Sequence, residues 1–229
     1  MHSAGGYGSL VAVPDAQVYP VPPGLTPIEA AAFPLDYLTA WRMLVTKADL
    51  HAGESVLVWG ASGALGTAAI RVAKSLGAVV IAAAGSPAFA DRLLQIGADH
   101  AVLYKSERVA DRVKEMTGGA GADCVFESIG AATFEISMNA VRPFGRIVIC
   151  GTRSGNCATT NLEDLYYNQI RVLGSRMGSK SEFEEVLRRV SQPELRPVIA
   201  DELSIDDVRA AHALMEQRRH VGKIVLRHE

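Results

Sequence analysis

The chain has 229 residues, with 23 lysines and arginines against 25 aspartates and glutamates, giving a net charge of −2. That length buries a full core, and balanced charge without a basic tract argues against nucleic acid or an anionic membrane as partner. No apolar run reaches spanning length, the first residues lack a charged-then-apolar leader, and Cys124, Cys150 and Cys157 have no metal spacing, which together fit a reducing cytoplasm.

Residues 1–24 carry a glycine-rich turn (Gly5, Gly6 and Gly8 around Tyr7), then Leu10-Val11-Ala12-Val13, then a connector with Pro20, Pro22 and Pro23. The apolar stretch reads as a strand and the connector as extended chain. From about residue 55 to 175 the pattern changes. Apolar runs at 55–59, 78–84, 100–104, 122–127, 145–150 and 170–175 alternate with amphipathic stretches at 63–76, 87–97, 107–117, 131–141 and 161–168. Buried parallel strands are apolar on both faces and each crossover needs a helix. The rhythm therefore predicts an α/β fold with a doubly wound, six-stranded parallel Rossmann sheet.

Gly77, Gly97, Gly118, Gly119 and Gly121 fall at or just after the helix ends, where a residue without a Cβ makes the cap. Toward the end of the chain, Val198-Ile199 and Lys223-Ile224-Val225-Leu226 read as strands around a helix at 205–218. Neither flank has enough strands to close a sheet, so their partners are expected on another segment or another chain. Arg218-Arg219-His220 reads as a solvated helix end favoured by the helix dipole. The expected division is 1–24, then 25–192 as the dinucleotide-binding unit, then 193–229 returning to the first part.

Trp59-Gly60-Ala61-Ser62-Gly63-Ala64-Leu65-Gly66 stands between the first strand and the first crossover helix. On the Gly-x-Gly-x-x-Gly spacing the three positions are Ala61, Gly63 and Gly66, with Gly60 just before the replaced glycine. Such a turn alone is also a plain strand-to-helix connection. In this context, small residues let the backbone approach a pyrophosphate while the N–H groups of the first helical turn point at it.

The end of the second strand selects the nucleotide. An acid there takes the ribose 2′-hydroxyl of NAD, but Ala84 holds the place and the next acid, Asp91, lies inside the following helix. Ser86 offers a 2′-phosphate a hydrogen bond and Arg92 a charge, although Ser86 equally reads as the cap of the helix starting at Pro87. NADP is expected ahead of NAD. Ser128, Ile129, Gly130, Cys150, Gly151, Thr152, Gly174 and Ser175 follow later strands and should line the same crevice. Cys150 has the position of a group beside a nicotinamide, yet a buried inert thiol is the plainer account. Cys124 reads as core and Cys157 as a loop thiol. The histidines (His2, His51, His100, His212, His220 and His228) form no metal motif, and no residue has the spacing of a general acid or nucleophile, so catalytic residues stay unassigned.

The phrases from Ala30 to Trp41 and from Gly53 to Gly63 resemble the medium-chain dehydrogenase/reductase superfamily, in its zinc-type alcohol dehydrogenase and quinone oxidoreductase-like branch. Ile96-Gly97-Ala98-Asp99, Gly118 to Asp123, and Arg218 to Leu226 extend the resemblance through nearly the whole chain. It implies NAD(P)H-dependent hydride transfer to a quinone, enal or carbonyl, the substrate itself being unspecified. It also implies that Thr39 lies beside the nicotinamide, though its hydroxyl equally suits a bond within its own helix. Lys223 is counted with the cofactor contacts. Of the family's NADP features, the tyrosine after the third strand is matched by Tyr104, while the lysine position holds Phe89. The third zinc ligand of zinc-dependent members, a cysteine four residues before Thr39, is replaced by Leu35, so no zinc is expected.

Family members also carry an N-terminal GroES-like catalytic domain, of which only remnants are recognisable at both ends here. The expectation is a fragment of a larger reductase, with Met1 not the biological start; the alternative is a nucleotide-binding module without turnover of its own. The segment Ile170-Arg171-Val172-Leu173-Gly174 matches the edge strand through which such proteins dimerise, so a homodimer is expected.

Overall fold

The computed structural model describes residues 6–228; Gly5 and His2 lie outside the described residues. Thr26 opens helix α1 (Pro27–Ala32) with a reciprocal box: its hydroxyl accepts the Glu29 N–H, and the Glu29 carboxylate accepts the Thr26 N–H. Helix α2 (Pro34–Trp41) follows and runs into π-helical turns at Arg42–Lys47. Apolar periodicity does not predict this helical stretch, because Tyr37, Ala40, Trp41, Met43 and Leu44 are all buried and leave no polar stripe.

The alternating elements then appear in the expected order. They are β1 (Ser55–Val58), α3 (Ala64–Ser75), β2 (Val79–Ala84), α4 (Pro87–Ile96), β3 (His100–Leu103), α5 (Val109–Met116), β4 (Ala122–Glu127), α6 (Ala131–Ala140), β5 (Val141–Ile149), α7 (Leu162–Tyr167) and β6 (Arg171–Gly174). All six strands are parallel, in the order β3-β2-β1-β4-β5-β6. Strand β5 begins earlier than expected: Val141 already pairs with Ala122, and the register shifts before Arg146 meets Cys124. Strand pleating sends Val56 and Val58 into one layer, with Phe33, Ala69 and Val186, and sends Leu57 into the other, with Val102, Val113 and Val125. Both faces are covered, as a parallel sheet requires.

The two flanks depart from expectation. Helix α8 (Lys180–Arg189), unpredicted, packs against α2 and is boxed by Ser179 and Glu182. Strand β7 (Ile199–Ser204), helix α9 (Val208–Gln217) and strand β8 (Lys223–Arg227) follow, and β7 pairs with β8 in parallel, Ile199 opposite Lys223. The two late strands thus find each other rather than a separate segment. Residues 10–13 form no strand; Leu10 is 93% exposed. A strand exists only through a neighbour, and none of the described residues pairs with this stretch.

Candidate functional site

Strand order reverses between β1 and β4, and open parallel sheets bind ligands beyond the strand ends at such a point. The chain leaves β1 through Trp59 and turns at Gly60, whose φ of 65° suits a residue without a Cβ. The Gly63 N–H closes the turn on the Gly60 carbonyl at 3.0 Å. Helix α3 then passes so near the turn that a Cβ on Gly66 would lie 2.6 Å from Ala61 Cα. Only glycine permits that approach. No side chain caps α3, whereas Ser86 accepts the Phe89 N–H at 3.4 Å to cap α4. The Gly63 N–H is held by the turn, and the N–H groups of Leu65 and Gly66 in the first turn of α3 meet no capping side chain, which suits a pyrophosphate beside Ser62, Gly63, Ala64 and Leu65.

The opposite lip is the turn after β4. Ser128 Oγ donates to the Trp59 carbonyl at 3.3 Å, and a Cβ on Gly60 would meet Ser128 Oγ at 2.9 Å and Ile129 Cδ1 at 3.3 Å. Gly130 has φ 99°. The next turn closes on this one, with the Ser154 N–H donating to the Ile129 carbonyl at 2.8 Å and a Cβ on Gly151 falling 2.9 Å from the Ser128 carbonyl oxygen. Cys150 N–H donates to the Glu127 carbonyl, and burial, then the Glu127 charge, push its thiol up to about 11, so it stays protonated. Thr152 is exposed, with its backbone against Gly130. After β6, Gly174 is open and the Ser175 N–H donates to the Ile149 carbonyl at 2.8 Å. Ser175 Oγ is buried with no hydrogen-bond partner among the described residues.

At the end of β2, Ala84 and Gly85 lie against Tyr104, with Ser86 next in the chain. The Tyr104 N–H donates to the Ala84 carbonyl at 3.1 Å, and its phenol oxygen would be 2.8 Å from a Cβ on Gly85. The same ring leans on the Trp59 indole, centroids 6.2 Å apart. Arg92 is not drawn into this group; its guanidinium turns to Gln95 Oε1 at 3.3 Å. Thr39 Oγ1 donates to the Leu35 carbonyl at 2.7 Å within α2, the bond its helical position allows. Leu35 is 52% exposed and offers a metal no donor. Lys223 Nζ is engaged at 2.8 Å by Asp36, whose carboxylate is nearly buried. Cys124 is buried, with its thiol pushed up to about 12, and Cys157 is exposed.

Two features escape a reading by residue spacing. The C-terminal chain returns to the glycine turn, where the Gly222 N–H donates to the Ser62 carbonyl and Gly63 bridges Gly222. His220 lies two residues before this contact, and its Nδ1 is buried without a partner among the described residues. The second feature is Glu127, fully buried at the end of β4 and bonded by Ile129, Gly130, Thr133 and Ser137. An acid closing an apolar run was its only sequence signal. The residues present fit a dinucleotide: a turn that only glycines can make, an uncapped helix beside it, and unpartnered polar atoms on Ser175 and His220.

The sequence profile of the family described as zinc-binding dehydrogenase matches residues 64–192. The crotonyl-CoA reductase of Streptomyces collinus is 31% identical over 239 residues, covering 96% of this chain and 54% of that protein. The quinone oxidoreductase of Homo sapiens is 28% identical over 230 residues, covering 97% of this chain and 69% of that protein. Among solved structures, an NAD-dependent alcohol dehydrogenase superposes with a TM-score of 0.92 at 41% identity, over 97% of this chain and 65% of that one. A 2-octenoyl-CoA carboxylase reductase in complex with NADP and 2-octenoyl-CoA gives a TM-score of 0.83 at 29% identity, over 92% and 52%. The chain spans about half the length of the crotonyl-CoA reductase that it matches.

Proposed function

The chain belongs to the zinc-binding dehydrogenase family, and from that premise we propose that it is the cofactor-holding part of an NADP(H)-dependent oxidoreductase acting on a quinone, an enal or a carbonyl compound. The observation that carries this reading is the fit of uncapped α3 against the turn at Gly60, with Gly66 as the point of contact. The nicotinamide supplies the hydride when bound. The chain's own residues bind and orient: the N–H groups at the start of α3 face the pyrophosphate, and Ile129 and Gly130 form the other wall of the crevice. Ser175 stands at the far end with a hydroxyl to give. Thr39 is proposed at the nicotinamide edge with its hydroxyl already committed to Leu35, so it shapes that edge rather than moves a proton.

NADP is favoured over NAD by the absence of an acid at Ala84 and by Tyr104 beside Gly85, with Ser86 next in the chain and free to share its hydroxyl. The relatives differ on this point, one being named NAD-dependent and another holding NADP, so the choice rests on these residues. Leu35 supports a zinc-free site. We also propose that residues 1–24 and 193–229 belong with a catalytic half, the nucleotide unit being 25–192, and that the protein is a cytoplasmic homodimer joined at β6.

Titration of the chain with NADPH and NADH, followed by calorimetry, tests the reading; tighter binding of NADPH is expected, and no binding of either overturns it. NADPH oxidation with quinones or enals is the second arm. Binding without oxidation points to the alternative, a nucleotide-binding module without turnover of its own.

A further inference from the structure

Glu127 has no surface exposure, and its hydrogen-bond partners are all uncharged donors. A carboxylate removed from water is costly unless its lone pairs are filled. Here they are filled by neutral groups. Oε1 accepts the Ile129 N–H at 2.8 Å and the Gly130 N–H at 3.1 Å, Thr133 Oγ1 lies 2.9 Å from both oxygens, and Ser137 Oγ donates to Oε2 at 2.8 Å.

Ser137 Oγ accepts the Trp59 indole Nε1–H at 2.9 Å on one lone pair while giving its own proton to Glu127. Trp59 is the residue before Gly60, and its carbonyl accepts from Ser128 at 3.3 Å. A polar chain thus runs from the base of the glycine turn, through Ser137 on α6, to the carboxylate that pins the turn after β4. Both lips of the crevice hang from one buried group.

Resting on the dinucleotide reading above, we propose that Trp59, Ser137 and Glu127 are the positioning residues of the crevice, setting the spacing between the glycine turn and the Ser128–Gly130 turn and thereby the affinity for the dinucleotide. Within this chain, Ser137 is fully buried and its hydroxyl is engaged by both neighbours, so it acts only through them. Trp59→Phe removes the indole bond to Ser137, and Ser137→Ala removes that same bond together with the one to Glu127. Two variants that break one bond do not add, which is how a shared interaction is recognised.

The test is a double-variant cycle on the 229-residue chain, with NADPH titrated by calorimetry at a temperature where every variant is folded by circular dichroism. Each single variant is expected to raise Kd for NADPH about tenfold, or ~1.4 kcal/mol, the pair no further, and Ser137→Thr, which keeps the hydroxyl, is expected to restore binding. Hydrogen exchange should quicken at the amides of residues 60–66 and 129–130 and stay slow at Ile81 in β2. Unchanged Kd in both singles, additive losses, or exchange that quickens equally in β2 overturns the proposal. If the unaltered chain binds neither NADPH nor NADH, the functional reading falls by itself. Exchange at the two turns then still decides whether the chain of bonds holds them, and unchanged exchange in Ser137→Ala refutes that.

Discussion

The N–H of Gly222 donates to the carbonyl of Ser62 at 2.9 Å, fastening the C-terminal strand to the glycine turn. Gly222 has φ 106°, and a Cβ there would meet Val198 Cγ1 at 2.9 Å as well as the Val198 carbonyl. Gly222→Ala must therefore strain the backbone or push β8 away from the turn. The expected cost is about 1–3 kcal/mol, a fall in Tm of roughly 2–12 °C at about 2–4 °C per kcal/mol for a chain of this size, together with weaker nucleotide binding. Thermal melts and calorimetric titrations run side by side measure both; a lowered Tm with unaltered affinity would show that the strand does not support the turn.

Tyr104 gives a second, more selective prediction. Its phenol oxygen stands over Gly85, one residue before Ser86, the residue proposed above to meet a 2′-phosphate. Tyr104→Phe keeps the ring against Trp59 and removes only the hydroxyl. The expected loss is on the order of 1 kcal/mol, about fivefold in affinity, for NADPH and none for NADH. Equal losses for both nucleotides would assign Tyr104 to packing instead.

The six strands were legible because a buried parallel strand writes a short apolar run and a glycine often closes the helix before it. The late pairing of β7 with β8 was not, since two short runs do not reveal which partner each takes. Helix α1 is too short to show an apolar stripe, whereas α8 carries one in Phe183, Val186, Leu187 and Val190, and Thr26-Pro27-Ile28-Glu29 and Ser179-Lys180-Ser181-Glu182 are capping boxes in plain view that mark both starts. The same division runs through the site. The turn from Gly60 to Gly66 is local, so its residues announce it. Glu127, Ser137 and Trp59 meet only through the fold, and a single acid or serine among apolar neighbours carries no spacing to read. Arg92, whose sequence position suggested a charge near Ser86, turns its guanidinium to Gln95, a contact within one helical turn that the reading at Ser86 does not include.

Strand β6 is the exposed edge of the large sheet, with Val172 42% exposed. Phe144, Leu162, Tyr166 and Tyr167 are exposed on the neighbouring β5 bend and α7, and the Phe144 N–H donates to the Asn168 carbonyl at 2.8 Å, bringing bend and helix together. Unpaired backbone beside apolar side chains favours strand addition, and a lysine at such an edge opposes it. Light scattering on the unaltered chain is expected to give twice the chain mass, and Val172→Lys the single mass with little change in Tm. A single mass for the unaltered chain would remove the dimer from the reading.

Glu182 joins α8 to the end of α2. Arg42 Nη1 reaches its Oε2 at 2.7 Å, Thr46 Oγ1 donates to Oε1, and the Ser179 N–H and hydroxyl complete the box. Burial pushes the carboxyl up, but the Ser179 N–H, then the Thr46 and Ser179 hydroxyls and Arg42, hold it down at about 2, against an ordinary value of 4.5. The folded state thus binds this proton more weakly than the unfolded one. Its stabilisation is complete above about pH 4.5 and is lost as the pH falls from there toward 2. Melting temperatures measured between pH 6 and 3 should fall most steeply below about pH 4.5. Glu182→Gln should start lower at pH 6, having lost the ion pair with Arg42, and should fall less on acidification. Parallel curves for the two proteins would mean that the acid sensitivity comes from other carboxylates, Asp123 and Glu54 being the next candidates, each held low against burial by hydrogen bonds and a neighbouring arginine.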